Sequence, residues 1–559
     1  MPTKPITKVK AMVIRKAGLT FVQVIFLTAG IALWQTLFTF TEDADTRFVM
    51  NLGRYILENG FPHVEPFTIH ENLQLVAQQW LSGIFFWLAY ENFGLNGLLV
   101  LDYLFGAAAI LIYWRLCLLV GENKILSLAM AFVVGLLIAS SIVPRPHIFS
   151  TPFLVAEVFF LEKFTRTGKE KFLLPLPLVS VALINFHAAV WAMSLVLCLP
   201  FLFVKNLRHI KFLLAAILGI FFCGLINPYG LDAMTYVLRS YGVDLINSNI
   251  AEMFTPSAHR FEGKIFYFCA AFVIFTLGRF KIPCRYIFLS GGLIFMAVMH
   301  WRNVLLFYLT GTLPLAYAWR NFSPEKFFAL KTDEQYKNRG LMTLAFFLML
   351  FVNIATITFL LNDLDKLSAP IKIFFLATTL FALIILLFLK SEGRILHPAI
   401  LPRKNLFLLV SGLIFCGILF TTLNDTRKSP PMTYSQAIEF LLRTEKPENI
   451  SLYVPQGIGG LAGSYGIKYY IDSRSEVFLD ANNGRKNIFK EYLDFTSGKI
   501  PYDDFFARYN FTHIILTSEK TFLFDALSRD KNFRVIYESE RVDGYDVLRC
   551  KIFVPKSEV

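Results

Sequence analysis

Charged residues are scarce in this sequence. Only 17% of its 559 residues are Asp, Glu, Lys or Arg, whereas 55% are hydrophobic. A soluble globular protein does not carry so large an apolar fraction, because part of it would have to remain in contact with water. Many apolar runs approach or exceed the ~20 residues that span the hydrocarbon core of a bilayer. The composition therefore predicts a polytopic membrane protein.

Several sequence patterns that define common enzyme classes are missing. The seven cysteines include no CxxC pair, so the sequence indicates neither a zinc site nor a disulfide framework. There is no Gly-rich dinucleotide fingerprint, no GxSxG elbow and no internal repeat. We find no nucleic-acid-binding module either. These absences argue against a nucleotide-sugar enzyme, a serine hydrolase and a nucleic-acid-binding protein.

The composition of the chain changes near residue 424. Before it, apolar runs alternate with short polar loops. After it, runs typical of strands alternate with runs typical of helices. We predict a transmembrane module over residues 1–424 and a soluble α/β domain over residues 425–559. The strand-like runs are SLYVP, KYYID, THIILT, FRVIYE and YDVLRC, and the helix-like runs are NIFKEYLDF and YDDFFARYN.

The net charge of +13 sits largely in short loops between apolar runs, as expected for loops on the cytoplasmic side. Every basic loop lies inside if the chain crosses the membrane about thirteen times and residues 76–92 form an amphipathic helix on the outer surface. The N-terminus is then inside and the C-terminal domain outside, and the first outer loop covers residues 41–96. The predicted crossings are 20–40, 97–119, 125–142, 147–163, 172–186, 189–205, 212–227, 264–277, 286–300, 303–319, 340–361, 370–389 and 405–423.

This topology collects polar side chains at the outer face. Polar side chains near a bilayer cost free energy unless they are paired, so they are retained mainly where they serve a function. Their convergence therefore predicts an outward-facing active site. They come from the first outer loop and from the turns PRPH, NFHA, NPYG and HWRN. The candidates are Asp43, Asp45, His63, Glu65, Gln79, Arg145, His147, His187, Asn227, Tyr229, His300 and Arg302.

Each of these features also has a purely structural interpretation. Asp43 precedes the helix-like run DTRFVMNLGRYILENG and Asp45 begins it, so both could be ordinary loop acids or form a helix N-cap. NPYG is a good β-turn in any protein. His187 and His300 could be interface histidines whose hydrogen bonds are satisfied. Their combination on one face with an acid pair and two arginines favours the active-site interpretation.

Taken in order, several segments resemble the GT-C superfamily of integral membrane glycosyltransferases, in particular its poorly characterised bacterial members. The resemblance covers nearly the whole chain. DADTRFVMNLGRYILENGFPHVEPFT resembles the first outer loop of that superfamily, and QQWLSGIFFWLAYENFGLNG its second surface helix. PRPHIFS, NFHAAVW, INPYG and HWRN resemble later turns, and YGIKYYIDSRSEVF resembles a segment of the outer domain.

The resemblance implies an inverting glycosyltransferase in a bacterial cytoplasmic membrane. It would move a sugar from a polyprenyl phosphate or diphosphate donor to a glycan, lipid or protein acceptor at the outer face. A hydroxyl acceptor needs a base within hydrogen-bond reach, a role that suits Asp45 or Asp43. We favour Asp45, because it is nearer the start of the surface helix, and give Asp43 a supporting or metal-binding role.

The remaining candidates follow from the same chemistry. Guanidinium groups bind phosphate by charge-assisted, often bidentate hydrogen bonds, which suits Arg145 and Arg302, with His147 as a further donor. The sequence fixes no cofactor, but some relatives use a divalent cation, and carboxylates can bind one. The candidates for substrate binding are His187, Asn227, Tyr229, His300 and Gln79, and those for a metal are Asp43, His63 and Glu65.

Two other classes compete with a glycosyltransferase. A transporter or flippase of lipid-linked glycans would bind near the bilayer midplane, often between inverted repeats, and the sequence shows no such halves. A transferase with its catalytic centre in the tail could use Asp472, Arg474 and Glu476 of IDSRSE. The tail has neither a nucleophile elbow nor a metal cluster, so we expect it to recognise the acceptor instead.

Overall fold

The structure of the chain is a computed structural model that describes residues 44–138, 141–203, 206–240, 242–320, 432–519, 521–543 and 546–556. Asp43 and the predicted crossings 20–40, 340–361, 370–389 and 405–423 lie outside these residues. The predicted domain boundary near residue 424 does so too. Phe40–Val120, Ser140–Leu315 and Arg427–Val559 belong to one compact unit. The candidate site lies entirely within that unit.

Helices make up most of the described part of the membrane module. Each predicted crossing within the described residues corresponds to one helix or to consecutive helical turns. The helices are α1 (Ala44–Asn59), α2 (Trp80–Phe93), α3 (Leu95–Gly121), α4 (Lys124–Leu137), α5 (His147–Thr167), α6 (Pro175–Phe186), α7 (Ala188–Cys198), α8 (Leu207–Cys223), α9 (Leu231–Ser240), α10 (Asp244–Asn247), α11 (Phe261–Arg279), α12 (Cys284–Met299), α13 (Val304–Leu306) and α14 (Leu313–Ala318).

Shorter helical turns extend this set. Leu199–Leu202 continues α7, and the π-helical turn Phe307–Gly311 joins α13 to α14. Two of the described helices, Leu95–Gly121 and Phe261–Arg279, are long and apolar enough to cross a membrane on their own. The count of thirteen crossings stays a prediction.

The other compact unit contains α4 within its described part. The Asn123 side chain caps this helix by accepting a hydrogen bond of 3.0 Å from the Leu126 backbone N–H. The same side chain donates to the Arg320 backbone carbonyl at 3.0 Å. Asn123 therefore links the start of α4 to the end of the described segment that follows α14.

Helices α1 and α2 cross at two glycines. A Cβ atom built on Gly53 would lie 2.1 Å from the carbonyl carbon of Gly83, so no larger residue fits at this crossing. Helix α2 begins at Trp80, later than expected, and leaves Gln78 and Gln79 in the preceding turn. Its apolar residues surround the whole helix, so the expectation of an amphipathic helix was wrong. Its 14 residues span about 21 Å, less than the ~30 Å hydrocarbon core.

The C-terminal part contains a five-stranded mixed sheet, and all five predicted strands are present. The strand order is β2-β1-β3-β5-β4, with β2 and β3 parallel to β1, and β5 antiparallel to both β3 and β4. The strands are β1 (Ser451–Tyr453), β2 (Lys468–Tyr469), β3 (His513–Thr517), β4 (Phe533–Asp543) and β5 (Asp546–Pro555). The helices are α15 (Met432–Leu441), α16 (Gly459–Ser464), α17 (Asp480–Asn483), α18 (Ile488–Thr496), α19 (Tyr502–Tyr509) and α20 (Thr521–Arg529).

The first outer loop extends this sheet at its β2 edge. Thr68 pairs with Tyr469 in parallel, and the Ile69 N–H donates to the Tyr469 carbonyl at 3.0 Å. His70 Nε2 lies 2.9 Å from the Tyr470 carbonyl, and since that oxygen can only accept, this nitrogen donates. An exposed sheet edge is thereby covered by a segment some 400 residues earlier in the chain.

A buried ion cluster reinforces this junction. Arg474 Nη1 lies 2.7 Å from Glu65 Oε2, and Arg474 Nη2 lies 2.6 Å from Asp472 Oδ2. All three side chains are nearly inaccessible to water. The guanidinium of Arg474 also faces the ring of Phe48 on α1, at 5.4 Å from its centroid. The C-terminal domain therefore holds both the first outer loop and α1 in place.

Candidate functional site

The acid of the first outer loop and the arginine of PRPH meet in the structure. Asp45 lies in the first turn of α1, and its Oδ2 is 3.2 Å from Nη1 of Arg145. The Thr46 hydroxyl donates to the Pro144 carbonyl at 2.9 Å, which fixes the start of α1 against this turn. Two candidates separated by 100 positions in the sequence are thus brought into one ion pair.

Glu252 joins this pair and was not among the predicted residues. It lies in the short 3₁₀ turn Ala251–Met253, and its Oε1 contacts Nη1 of Arg145 closely. Burial alone would raise the pKa of Glu252, but the charges of Arg145 and Arg302 outweigh burial and hold the pKa below its usual value. Arg145 is therefore flanked by Asp45 and an ionised Glu252.

The turn HWRN packs against the turn that carries Glu252. The Trp301 N–H donates to the Phe254 carbonyl at 2.9 Å, and His300 Nδ1 donates to the Met253 carbonyl at 2.8 Å. Arg302 Nη1 lies 3.9 Å from the Met253 sulfur. The two arginines predicted to bind phosphate thus approach Glu252 from two separate hairpins.

The two other histidines occupy neighbouring turns. His147 begins α5, and its Nε2 contacts the Ser141 carbonyl. His187 joins α6 to α7, and its Nδ1 lies 3.3 Å from the Ser150 hydroxyl. Burial, together with the charge of Arg302, lowers the pKa of His187 well below its usual value. His187 is therefore neutral at physiological pH and can donate or accept a hydrogen bond without carrying charge.

The turn before α2 links the membrane module to the C-terminal domain, through Gln78 rather than the predicted Gln79. The Gln78 carbonyl accepts from the Ala188 N–H at 2.9 Å, and Gln78 Nε2 donates to Glu476 Oε1 at 3.0 Å. The Gln79 carbonyl accepts from the Gly83 N–H at 3.0 Å. Burial raises the pKa of Glu476, although the charges of Arg302 and Arg474 oppose the rise.

Asn227 and Tyr229 make hydrogen bonds that shape their own surroundings. Asn227 Nδ2 donates to the carbonyls of Gly224 at 2.8 Å and Gly230 at 3.0 Å, and its Oδ1 accepts from the Tyr229 N–H. The Tyr229 hydroxyl donates to the Pro62 carbonyl at 2.9 Å. These bonds match the alternative in which NPYG is a turn, so a role of either residue in substrate binding stays a prediction.

The predicted metal candidates are dispersed. Glu65 is engaged by Arg474, and the His63 ring packs against Tyr229 at 5.3 Å between centroids. Among the residues that the structure describes, no group of three His, Cys, Asp or Glu side chains is arranged to hold a metal ion. Asp43 lies outside them. The arrangement of His63 and Glu65 therefore offers no support for a shared cation at these two residues.

A groove of about 690 Å³ opens between α2, α6 and the end of α8. Its walls are mostly apolar and include Trp80, Leu178 and Ile226, the last two being 73% and 58% exposed. Asn185 and Asn227 supply its polar edge, and the Trp80 indole N–H donates to Asn185 Oδ1 at 3.0 Å. Asn185 precedes His187 by two residues, so the groove adjoins the turn that carries that histidine.

No family model matches the sequence, and no curated protein matches it significantly. The solved structures that resemble it include ArnT from Cupriavidus metallidurans bound to undecaprenyl phosphate. The two are 10% identical and superpose with a TM-score of 0.51 over 96% of this chain and 98% of that one. The apo state of the same protein gives 12% identity over the same shares, with a TM-score of 0.48.

The likeness to the lipid-bound ArnT structure shows the fold. The chain has the fold of a polytopic helical membrane protein with a C-terminal domain. The expected fold, a polytopic helical membrane protein with a C-terminal domain, is confirmed. At 10% identity the comparison assigns no residue a role, so the roles rest on the geometry described above.

Proposed function

We propose that this protein is an inverting glycosyltransferase that uses a polyprenyl-phosphate-linked or polyprenyl-diphosphate-linked sugar at the outer face of a bacterial cytoplasmic membrane. The observation that carries the proposal is the cluster of Asp45, Arg145, Glu252 and Arg302. Four separate parts of the chain bring together two carboxylates and two guanidinium groups. The crystal structure of similar fold contains undecaprenyl phosphate, which adds support.

In this proposal the donor phosphate binds between Arg145 and Arg302. A phosphate offers the oxygen pairs that guanidinium groups bind best, and it would face two guanidinium groups at the place where Glu252 now contacts Arg145. The phosphate would displace Glu252 from Arg145. Both arginines would then stabilise the charge that builds on the leaving phosphate.

The isoprenoid chain would occupy the apolar groove. The groove is open along a surface where Leu178 and Ile226 are exposed, as expected for side chains that face lipid. It adjoins the turn of His187, which contacts Ser150 on α5, the helix that follows PRPH. A lipid with its phosphate at Arg145 could therefore lay its first isoprene units toward Trp80.

Asp45 would act as the base. Its carboxylate accepts the proton of the acceptor hydroxyl while the hydroxyl oxygen attacks the anomeric carbon and the phosphate departs from the opposite side. A single displacement of this kind inverts the anomeric configuration. The products are the glycosylated acceptor and the polyprenyl phosphate or diphosphate. Asp43 is the alternative base.

A transfer assay in detergent tests this function. We expect the lipid-linked sugar that accumulates when the gene is deleted to be consumed by the purified protein in the presence of acceptor, with release of the polyprenyl carrier. The rival flippase would move a lipid across a bilayer but change no covalent bond. A purified protein that leaves the accumulated lipid chemically unchanged with every envelope fraction as acceptor would refute the transferase.

The location of the site is tested separately. We expect alkaline phosphatase fused after residue 430 to be active, because the basic loops put the C-terminal domain outside. Cysteines replacing Gln79 and Asn92 should both react with an impermeant reagent from outside, since α2 is too short to cross. Labelling of position 92 only from the cytoplasm would show that α2 spans the membrane.

A further inference from the structure

Three buried polar atoms without protein partners belong to residues that interact with Glu476. Within the described part of the chain, Gln78 Oε1, Asn482 Oδ1 and the Tyr236 hydroxyl make no hydrogen bond at acceptable geometry. Leaving one such atom unsatisfied costs about 1–3 kcal/mol. Native structures contain only a few of these atoms per 100 residues, so three on residues that interact with one glutamate call for an explanation.

The residues that carry these atoms are connected through Glu476. Gln78 Nε2 donates to the Glu476 carboxylate, and Asn482 Nδ2 donates to the Glu476 backbone carbonyl at 2.8 Å. Tyr236 is 2% exposed, and burial together with the negative charge of Glu476 raises the pKa of its hydroxyl. The first outer loop, α9 and α17 therefore converge on Glu476.

The orientation of two amides is fixed by their partners. Carboxylate and carbonyl oxygens can only accept, so the NH₂ groups of Gln78 and Asn482 must face Glu476. The unsatisfied atoms of both amides are consequently their oxygens, which are acceptors. Together with the Glu476 carboxylate they form a surface rich in acceptors. The complementary ligand is one that offers several O–H donors.

This surface adjoins the proposed catalytic cluster. The Gln78 carbonyl is bonded to Ala188, the residue after His187. The positive charge of Arg302 acts on both Glu252 and Glu476, so one guanidinium group couples the two carboxylates. A group bound at Glu476 therefore lies near an arginine predicted to bind the donor phosphate.

We propose that Glu476, Gln78 and Asn482 form the acceptor subsite and bind a hydroxyl-rich saccharide. This inference rests on the proposed glycosyltransferase function and names the class of its acceptor. The hydroxyl groups of a sugar ring donate to the amide oxygens and to the Glu476 carboxylate. One neighbouring hydroxyl is thereby held for deprotonation by Asp45. The C-terminal domain supplies two of the three residues and so selects the acceptor.

Saccharide binding to the full-length protein in nanodiscs free of maltoside detergent tests the subsite. The probes are the methyl glycosides of glucose, galactose and mannose, observed by saturation-transfer NMR. We expect at least one to bind the wild type, and its signal to fall at least threefold in Glu476→Gln and Asn482→Leu. The control is Asp504→Asn, an exposed carboxylate on α19, which should match the wild type.

Binding of undecaprenyl phosphate distinguishes a failure of the acceptor subsite from a failure of the proposed transferase function. We expect it to stay within twofold of the wild type in Asn482→Leu and Asp504→Asn, because neither residue belongs to the donor side. In the transfer assay, Asn482→Leu should raise the acceptor KM about tenfold and leave kcat within threefold. If the lipid binds but none of the three glycosides does, or if they bind all variants equally, the subsite is wrong while the transferase stands. If the lipid does not bind the wild type, the transferase proposal itself fails.

Discussion

Replacing Asp45 by Asn distinguishes a catalytic carboxylate from a structural one. Asn keeps the size of the side chain and a hydrogen-bonding oxygen in the first turn of α1, but it cannot accept the proton of an acceptor hydroxyl. Loss of a general base lowers rates by typically 10²–10⁴-fold, which corresponds to about 3–5 kcal/mol of activation free energy. We therefore expect the variant to lose at least 99% of turnover.

The expected cost to folding is much smaller. The side chains of Asp45 and Arg145 are 28% and 24% exposed, and an ion pair near the surface contributes at most about 1 kcal/mol. Arg145 also keeps Glu252 as a counter-charge in the variant. The increase in activation free energy should thus be several times larger than any decrease in the free energy of unfolding. Thermal unfolding of the purified variant should follow that of the wild type closely.

The assay measures consumption of the accumulated lipid-linked sugar, with undecaprenyl phosphate binding measured in parallel to show that the donor site is intact. Glu71→Gln is the matched control, since Glu71 is an exposed carboxylate of the same loop. If Asp45→Asn is as active as this control and Asp43→Asn is inactive, the base is Asp43. If all three variants turn over at the wild-type rate, the acidic stretch is only a solvated loop.

Three further predictions follow from the same geometry. Arg145→Lys and Arg302→Lys should each weaken undecaprenyl phosphate binding several-fold with the fold intact, because Lys keeps the charge but loses the planar fork; unchanged affinity in both would refute the phosphate site. Arg474→Met should destabilise the protein by about 3–5 kcal/mol in thermal unfolding, since it leaves the buried Glu65 carboxylate uncompensated; an unchanged melting temperature would show that the cluster is not structural. Burial and the charge of Lys486 lower the pKa of His70 to about 4. The neutral form of His70 therefore stabilises the fold above pH 6.5, by at most about 3 kcal/mol. This contribution should be lost as pH falls from about 6.5 to about 4. Unfolding of His70→Gln should be less dependent on pH across that window, and equal pH dependence in both proteins would contradict the assignment.

Local patterns predicted the local structure well. The alternation in THIILT and FRVIYE identified two strands that the structure contains, and the apolar runs of the described membrane module correspond to helices. Charge placement brought Asp45 and Arg145 to the same face before any contact was known. These successes share a cause: hydrophobic period and loop charge depend on neighbouring residues, which the sequence displays directly.

Features that depend on distant contacts were missed. Glu252 lies in a 3₁₀ turn of a long loop with no periodic pattern, and its importance follows only from its contact with Arg145. Gln78 and Gln79 were both placed on a helix that actually starts at Trp80, and the contact of Gln78 with Glu476 joins residues 398 positions apart. Glu65 looked like a metal ligand because its partner, Arg474, is 409 positions away. A single sequence gives no indication of such pairings.

The pairing of the first outer loop with the edge of the sheet has a consequence for biosynthesis. Thr68 and Ile69 emerge early during synthesis, whereas their partner Tyr469 is made about 400 residues later. At 5–20 residues per second a ribosome needs about 20–80 s to cover that interval. In the proposed topology, the loop that carries the candidate base waits that long on the outer side without its final support. The proposed catalytic cluster would then gain this support only after translocation of the C-terminal domain, and we expect a chain interrupted before residue 469 to reach the membrane without acquiring activity.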